Sequence, residues 1–367
     1  MTIFRYAELA RVVRNGFVES RHYGSVVVLA PDGAVVLAAG VPDEPVLPRS
    51  TLKPVQALAC RVAAGDELTG PALALAAGSH TGDDRHVEVV RAMLAGAGLT
   101  EDALGCPVDW PEDESTRERL IRVGGQRDRI RMNCSGKHAA MLVASAARSW
   151  STHDYLDPEH PLQRETAAAV ARLAGTPVAH HAVDGCGAPL FGLPLTGLAR
   201  TFQALVTAPD GSDEALVAQA MRQYPEYVGG WHGHPNTDLM RALPGVLAKG
   251  GAEGVLGVAA PDGHAVAVKV VDGSPRATTA IALAALDAVG VPVGGADALR
   301  QVPVLGGGEP VGAVTAVIDW TAAPSRTEAA SSRTQAASSP TQAASSRTQA
   351  ASSRTQAASS RTEKEES

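Results

Sequence analysis

The sequence predicts an α/β fold built on a mainly antiparallel sheet, formed by hairpins from the two ends of the chain and packed with helices. Three observations predict it. A β-hairpin pattern stands near each end of the body, at 25–38 and 254–271. Mostly helical patterning fills the stretch between them. Strands and helices are therefore segregated rather than alternating, which argues against a doubly wound sheet.

The elements follow in order. Ser25–Ala30 and Ala34–Ala38 are β-rich runs around Pro31-Asp32-Gly33, a turn signal. Ser50 stands at the start of a helix whose apolar run is Val55–Cys60. Helical patterns then occupy Asp84–Ala97, Glu114–Val123, Gly136–Arg148, Leu162–Ala174, Asp213–Arg222 and Asn236–Leu243. Gly254–Ala260 and His264–Val271 flank Pro261-Asp262-Gly263 as the second hairpin, and the Ala- and Leu-rich Pro275–Val289 reads as a closing helix. No Gly-x-Gly-x-x-Gly follows a strand and no phosphate loop is present, so nucleotide binding is not supported.

Of the 367 residues, 1–323 read as a single α/β unit and 324–367 as a disordered tail. From Arg326 the tail repeats every seven residues, restarting at Arg333, Pro340, Arg347, Arg354 and Arg361. Its only apolar residue is Ala, so it lacks the knobs of a coiled coil, and Ser, Thr and Gln favour a solvated chain. The tail carries six Lys or Arg against four Glu, so the body is more acidic than the chain's net −7. An acidic body argues against a nucleic-acid surface. Charges at Arg5, Glu8, Arg11, Arg14 and Glu19 interrupt every apolar stretch of the first 21 residues, unlike a signal peptide. With no apolar run of membrane-helix length, the expectation is a cytoplasmic protein whose four cysteines are reduced.

Chemistry concentrates in a few segments. Pro48-Arg49-Ser50-Thr51-Leu52-Lys53-Pro54 places a lysine three residues after a serine. Residues so spaced share a helix face, and a lysine of lowered pKa can activate a serine hydroxyl. The alternative is a helix cap with a solvated lysine. Gly78-Ser79-His80 lies on a Gly-flanked turn between an apolar run and a helix, where Ser79 could face a cleft or cap the helix. Asn133-Cys134-Ser135-Gly136-Lys137-His138 and Asp184-Gly185-Cys186-Gly187 each put a cysteine in a Gly-containing turn. Such cysteines can bind a soft metal, lie buried, or, at a helix start like Cys134, act as a reactive thiol. Lys269 interrupts an apolar strand and points either to solvent or into a cleft.

Together these segments, in this order and spacing, resemble the rhizobial-type (type 3) L-asparaginases, which are distinct from the asparaginases with a threonine nucleophile. The resemblance runs from about Val12 to Val289. It implies a fold similar to serine β-lactamases and glutaminases, a homodimer, and hydrolysis of L-asparagine to L-aspartate and ammonia. It further implies Ser50 as nucleophile with Lys53, a second tandem of Ser79 with Lys269, and a zinc ion on Cys134, Lys137 and Cys186. Arg49, His80, His138 and Asp184 match positions near the family's substrate site. Two rivals are another Ser-Lys acyl hydrolase (glutaminase, β-lactamase or peptidase) and a non-catalytic zinc protein that binds an amino acid.

Overall fold

The computed structural model describes residues 5–320; the heptad-repeat tail lies outside the described residues. The chain opens with strands β1 (Ala7–Arg14), β2 (Phe17–Leu29), β3 (Val35–Ala39) and the short β4 (Pro45–Val46). Six helices follow: α1 (Lys53–Ala64), α2 (Gly70–Ala76), α3 (Asp84–Gly96), α4 (Glu114–Arg122), α5 (Ser135–Ala147) and α6 (Pro161–Ala174). A hairpin of β5 (His180–Val183) and β6 (Pro189–Pro194) leads to α7 (Leu195–Val206), α8 (Asp213–Gln223), α9 (Pro225–Val228) and α10 (Pro235–Ala242). The chain then returns to the sheet through β7 (Leu247–Gly251), β8 (Val255–Ala259) and β9 (Ala265–Val270), adds α11 (Thr278–Ala288), and closes with β10 (Gln301–Gly306) and β11 (Glu309–Ala316).

The main sheet is antiparallel throughout, in the order β10-β11-β1-β2-β9-β8-β7, with β3 also paired to β2. The two ends of the chain meet where β1 pairs with β11, Val12 opposite Val314. β2 is long enough to serve two partners on one side, β1 along its first half and β3 along its second. Both expected hairpins form, and the α/β, mainly antiparallel class holds. The strands at the extremities, β1, β10 and β11, the β5–β6 hairpin and the edge strand β7 were not anticipated. Every residue of β8 is buried, because α7 and α11 both pack on it.

Two helices are internal rather than amphipathic. α1 is buried at eleven of its twelve positions, and α5 is buried continuously from Ser135 to Ser145. They pack on each other inside a ring of α2, α3, α6 and α8. Apolar residues all round a helix call for this central placement. Local chemistry sets the helix ends. Pro54 opens α1, where its missing N–H costs nothing. The Asp83 carboxylate caps α3 by accepting from the His86 N–H at 3.1 Å. Gly175 ends α6 in the left-handed conformation. The N-termini of α1 and α5, the turn after α2, and the edge strand β7 converge on one locus.

Candidate active site

Arg49–Leu52 form a single 3-10 turn leading into α1. Arg49 sits at φ 55°, in the left-handed region that non-glycine residues rarely occupy. The Thr51 hydroxyl donates to the Pro48 carbonyl at 2.6 Å, and the Arg49 guanidinium pairs with Asp184 at 2.6 Å. Strain of this kind persists only where surroundings fix it. The result is a half-buried Ser50 whose hydroxyl and N–H make no hydrogen bond to any described residue. Edge strand β7 presses directly on this turn. A Cβ on Gly251 would lie 2.7 Å from the Pro48 carbonyl oxygen, 3.1 Å from the Thr51 nitrogen and 3.2 Å from the Ser50 nitrogen.

Lys53, three residues on, is fully buried. Its Nζ donates to the Gly78 carbonyl at 2.6 Å and the Ser79 hydroxyl at 2.9 Å, with the Asn133 carbonyl at 3.5 Å. Ser79 is held in place by backbone bonds on both sides. Its N–H donates to Val228 O at 2.8 Å, and the next N–H, of His80, donates to Asn133 O at 3.1 Å.

The second lysine at Ser79 is Lys249, not Lys269. Lys249 is fully buried on β7, and its Nζ lies 2.9 Å from the Ser79 oxygen and 2.5 Å from the Gly250 carbonyl. Lys269, opposite Val255 and Ser25, turns outward and bonds the Glu253 and Val270 carbonyls, both at 2.6 Å. Sequence reading missed Lys249, yet a signal was there. Val246-Leu247-Ala248 is a strand-like run broken by a lysine and then by Gly250-Gly251, a Lys-x-Gly pattern. Burial, reinforced by the nearby charge of Lys53, holds the Lys249 amine well below the ordinary lysine range. Lys249 thus meets the Ser79 hydroxyl with its charged form disfavoured.

The sulfur-bearing turns meet beside this pair. Cys134 precedes α5, Lys137 lies in its first turn, and Cys186 lies in the β5–β6 loop. All three are buried. The Lys137 Nζ donates to the Cys186 sulfur at 3.0 Å. The Cys134 Sγ donates to the Asn133 Oδ1 at 3.1 Å. The neighbouring Cys134 thiol, helped by the Lys137 charge, holds the Cys186 thiol far below the usual range, while Cys186 and burial push Cys134 well above it. Burial works to lower the Lys137 pKa, but the two cysteines outweigh it and raise it. Two sulfurs and one nitrogen converge here, a donor set suited to a soft divalent cation once protons are lost. Among the described residues no three His, Cys, Asp or Glu side chains gather into a metal-holding group, so the set is complete only with its lysine.

The remaining site candidates divide by exposure. Arg49 and Asp184 line the turn as a partly exposed ion pair. His80 and His138 are fully buried. The His80 Nε2 lies 3.0 Å from the Ser135 hydroxyl, its ring stacks on His86, and burial lowers its pKa well below the histidine range. It ties the Ser79 turn to the start of α5 as a neutral ring. His138 lies 2.7 Å through its Nδ1 from the Tyr155 hydroxyl, and burial lowers its pKa. Two residues past Ser79, Thr81 borders a cavity of about 520 Å³ that is also lined by Glu112, Asp113, Trp231 and His232. Glu112 accepts from the Asn133 side chain at 2.7 Å, which joins this cavity to the lysine pair.

Solved structures offer distant likenesses. A β-lactamase from Mycobacterium bovis has 16% identity and a TM-score of 0.42 over 72% of this chain and 94% of that one. Mglu in its native form has 16% identity and a TM-score of 0.40 over 72% of this chain and 64% of that one. EstCE1, a hydrolase with promiscuous acyltransferase activity, has 15% identity and a TM-score of 0.38 over 75% and 93%. No curated protein matches the chain. Residues 10–316, which contain every element from the β1–β11 pairing to the lysine pair and the sulfur turns, match the family described as L-asparaginase II, and the chain therefore belongs to the L-asparaginase II family.

Proposed function

We propose that this protein hydrolyses L-asparagine to L-aspartate and ammonia, with Ser50 as nucleophile and the lysines around Ser79 as its proton relay. The observation that carries the reading is the Ser79 hydroxyl, held 2.9 Å from each of two buried lysine amines, beside the strained turn of Ser50. A serine hydroxyl must lose its proton as it attacks, and it needs a neutral base within reach. Lys53 shares the Ser50 face of the turn and touches Ser79; Ser79 touches Lys249, which burial keeps neutral. In this reading Lys53 passes a proton through the Ser79 hydroxyl to Lys249, becomes neutral and takes the Ser50 proton as the hydroxyl attacks; the relay then returns a proton to the amide nitrogen, which departs as ammonia. The Ser50 N–H, which makes no hydrogen bond to a described residue, is available to the charge that develops on the carbonyl oxygen. Water then cleaves the ester on Ser50 and the relay resets.

Family membership supports the amide-hydrolysing class. Cys134, Lys137 and Cys186 fit a zinc ion, and they would hold it at the edge of the site. Zinc there would supply a positive charge that polarises or orients a substrate oxygen. A homodimer in a cytoplasmic, thiol-preserving setting completes the reading; all four cysteines are unpaired. Light scattering checks the dimer. The test of the reaction is ammonia release from L-asparagine and L-glutamine under equal conditions. Preference for asparagine is expected, and faster turnover of glutamine would replace the substrate assignment with a glutaminase.

A further inference from the structure

Two distant parts of the chain must be brought together for Lys249 to meet Ser79. Ser79 stands on the turn after α2, and Lys249 stands on edge strand β7, 170 residues later. One segment, 225–237, holds both. On one side it grips the serine turn. The Val228 carbonyl accepts from the Ser79 N–H at 2.8 Å, and the Gly229 carbonyl accepts from the Thr81 N–H at 2.8 Å. The approach is close enough to demand glycine at 78, where a Cβ would lie 2.6 Å from the Tyr227 carbonyl oxygen.

On the other side the segment grips β7. An edge strand presents N–H groups that no neighbouring strand takes. That of Gly250 donates to the Asn236 Oδ1 at 2.7 Å, and Asn236 is buried. A backbone N–H can only donate, so the amide oxygen of Asn236, and not its nitrogen, faces β7. Gly250 follows Lys249 directly, and its carbonyl accepts from the Lys249 Nζ at 2.5 Å. Gly250 thus bonds Asn236 through its nitrogen and the lysine amine through its oxygen. The segment is also closed on itself. The fully buried Thr237 hydroxyl donates to the Pro225 carbonyl at 2.8 Å and accepts from the Gly230 N–H at 3.3 Å. The Asn236 N–H donates to the His234 Nδ1 at 3.3 Å, which fixes the start of α10.

We propose that Asn236 is a positioning residue that ties β7 to the segment holding the Ser79 turn, and thereby sets the Lys249 amine against the Ser79 hydroxyl. It acts through Gly250 rather than on the reacting atoms. The consequence for turnover rests on the proposed Ser79–Lys249 relay; the tie itself rests on the hydrogen bonds.

The experiment uses the full chain and two readouts. Ammonia release from L-asparagine gives kcat and KM, and amide hydrogen exchange gives the protection of Gly250. The wild type is expected to protect that amide. Asn236→Ala removes the acceptor and should free it, with kcat lowered about 10- to 100-fold by the displaced base and KM little changed. Asn236→Asp keeps an oxygen in the same place and should keep Gly250 protected. Leu173→Ala, at a buried position on α6 away from the converging elements, controls for lost stability and should melt lower with kcat near wild type. A freely exchanging Gly250 amide in the wild type overturns the tie. So does wild-type kcat in Asn236→Ala, equal loss of protection in the alanine and aspartate variants, or an equal kcat loss in Leu173→Ala. If the wild type releases no ammonia, the relay reading fails and exchange alone decides the tie: faster Gly250 exchange in Asn236→Ala supports it, and unchanged exchange overturns it.

Discussion

Gly251→Ala is the most economical probe of how the sheet sets the nucleophile. The new methyl would begin 2.7 Å from the Pro48 carbonyl oxygen, whereas ordinary contact starts at 3.4 Å, so strand or turn must yield by about 0.7 Å. Neither side has slack. Pro48 O is bonded by the Thr51 hydroxyl at 2.6 Å, Arg49 is pinned to Asp184, and β7 is paired along its length to β8. The other close atoms, the Thr51 and Ser50 nitrogens, are backbone as well, so no rotamer change relieves the clash. Overpacking of this type costs about 1–3 kcal/mol. Displacing a reacting atom by a similar distance costs about 10- to 100-fold in rate. Gly96→Ala is the control, since a Cβ there meets nothing within 4 Å and helix propensity favours alanine. Thermal melts and ammonia release on both variants decide the matter. A Gly251→Ala protein with wild-type melting and turnover would refute the idea that β7 fixes the Ser50 turn.

Lys249→Met is expected to lower amide hydrolysis about 10²- to 10⁴-fold, the usual worth of a general base, while Lys269→Met stays near wild type. The same Lys249 change should raise the melting temperature at neutral pH. The folded pKa of Lys249 is depressed, so the unfolded chain binds the extra proton. That cost vanishes above the ordinary lysine value of about 10.4 and grows as pH falls toward the folded value. The melting difference between variant and wild type should therefore shrink as pH rises toward 10, and a difference independent of pH would contradict the neutral-amine assignment. Metal analysis should find one zinc per chain, lost in Cys186→Ala and falling in occupancy as pH drops, because thiolate and amine ligands must be deprotonated. Full zinc in Cys186→Ala would move the site elsewhere. Deleting everything after Pro324 should leave turnover and melting nearly unchanged, since the repeats offer no large apolar side chain to a packed contact.

Much of the scaffold was legible because two short-range signals are strong. The Pro-Asp-Gly turns at 31–33 and 261–263 each fix a hairpin, and those hairpins lie side by side where β2 meets β9. The β1–β11 pairing was missed because it joins the two ends of the sheet rather than two strands of one turn. β1 alternates charged and apolar residues, with Glu8 and Arg11 paired on its wet face and Leu9, Ala10 and Val12 buried. Its partner β11 stands some 300 residues away, and no local pattern announces that pairing. The site divides in the same way. Ser50, Ser79, Cys134 and Cys186 are marked by glycine- and proline-bearing turns that need unusual backbone. Lys269 was mistaken for Lys249 because both are lone lysines in apolar strands. Only the sheet order, with β7 at the edge beside the Ser50 turn and β9 inside, tells which one reaches Ser79.

The central claim is that Ser50 attacks the amide carbon of L-asparagine. Steady-state ammonia release from L-asparagine by wild type and Ser50→Ala, with fold checked by circular dichroism, tests it most directly. Turnover is expected from the wild type and none above background from the variant. A folded Ser50→Ala protein within about tenfold of wild type, a barrier change of roughly 1.4 kcal/mol, would contradict it.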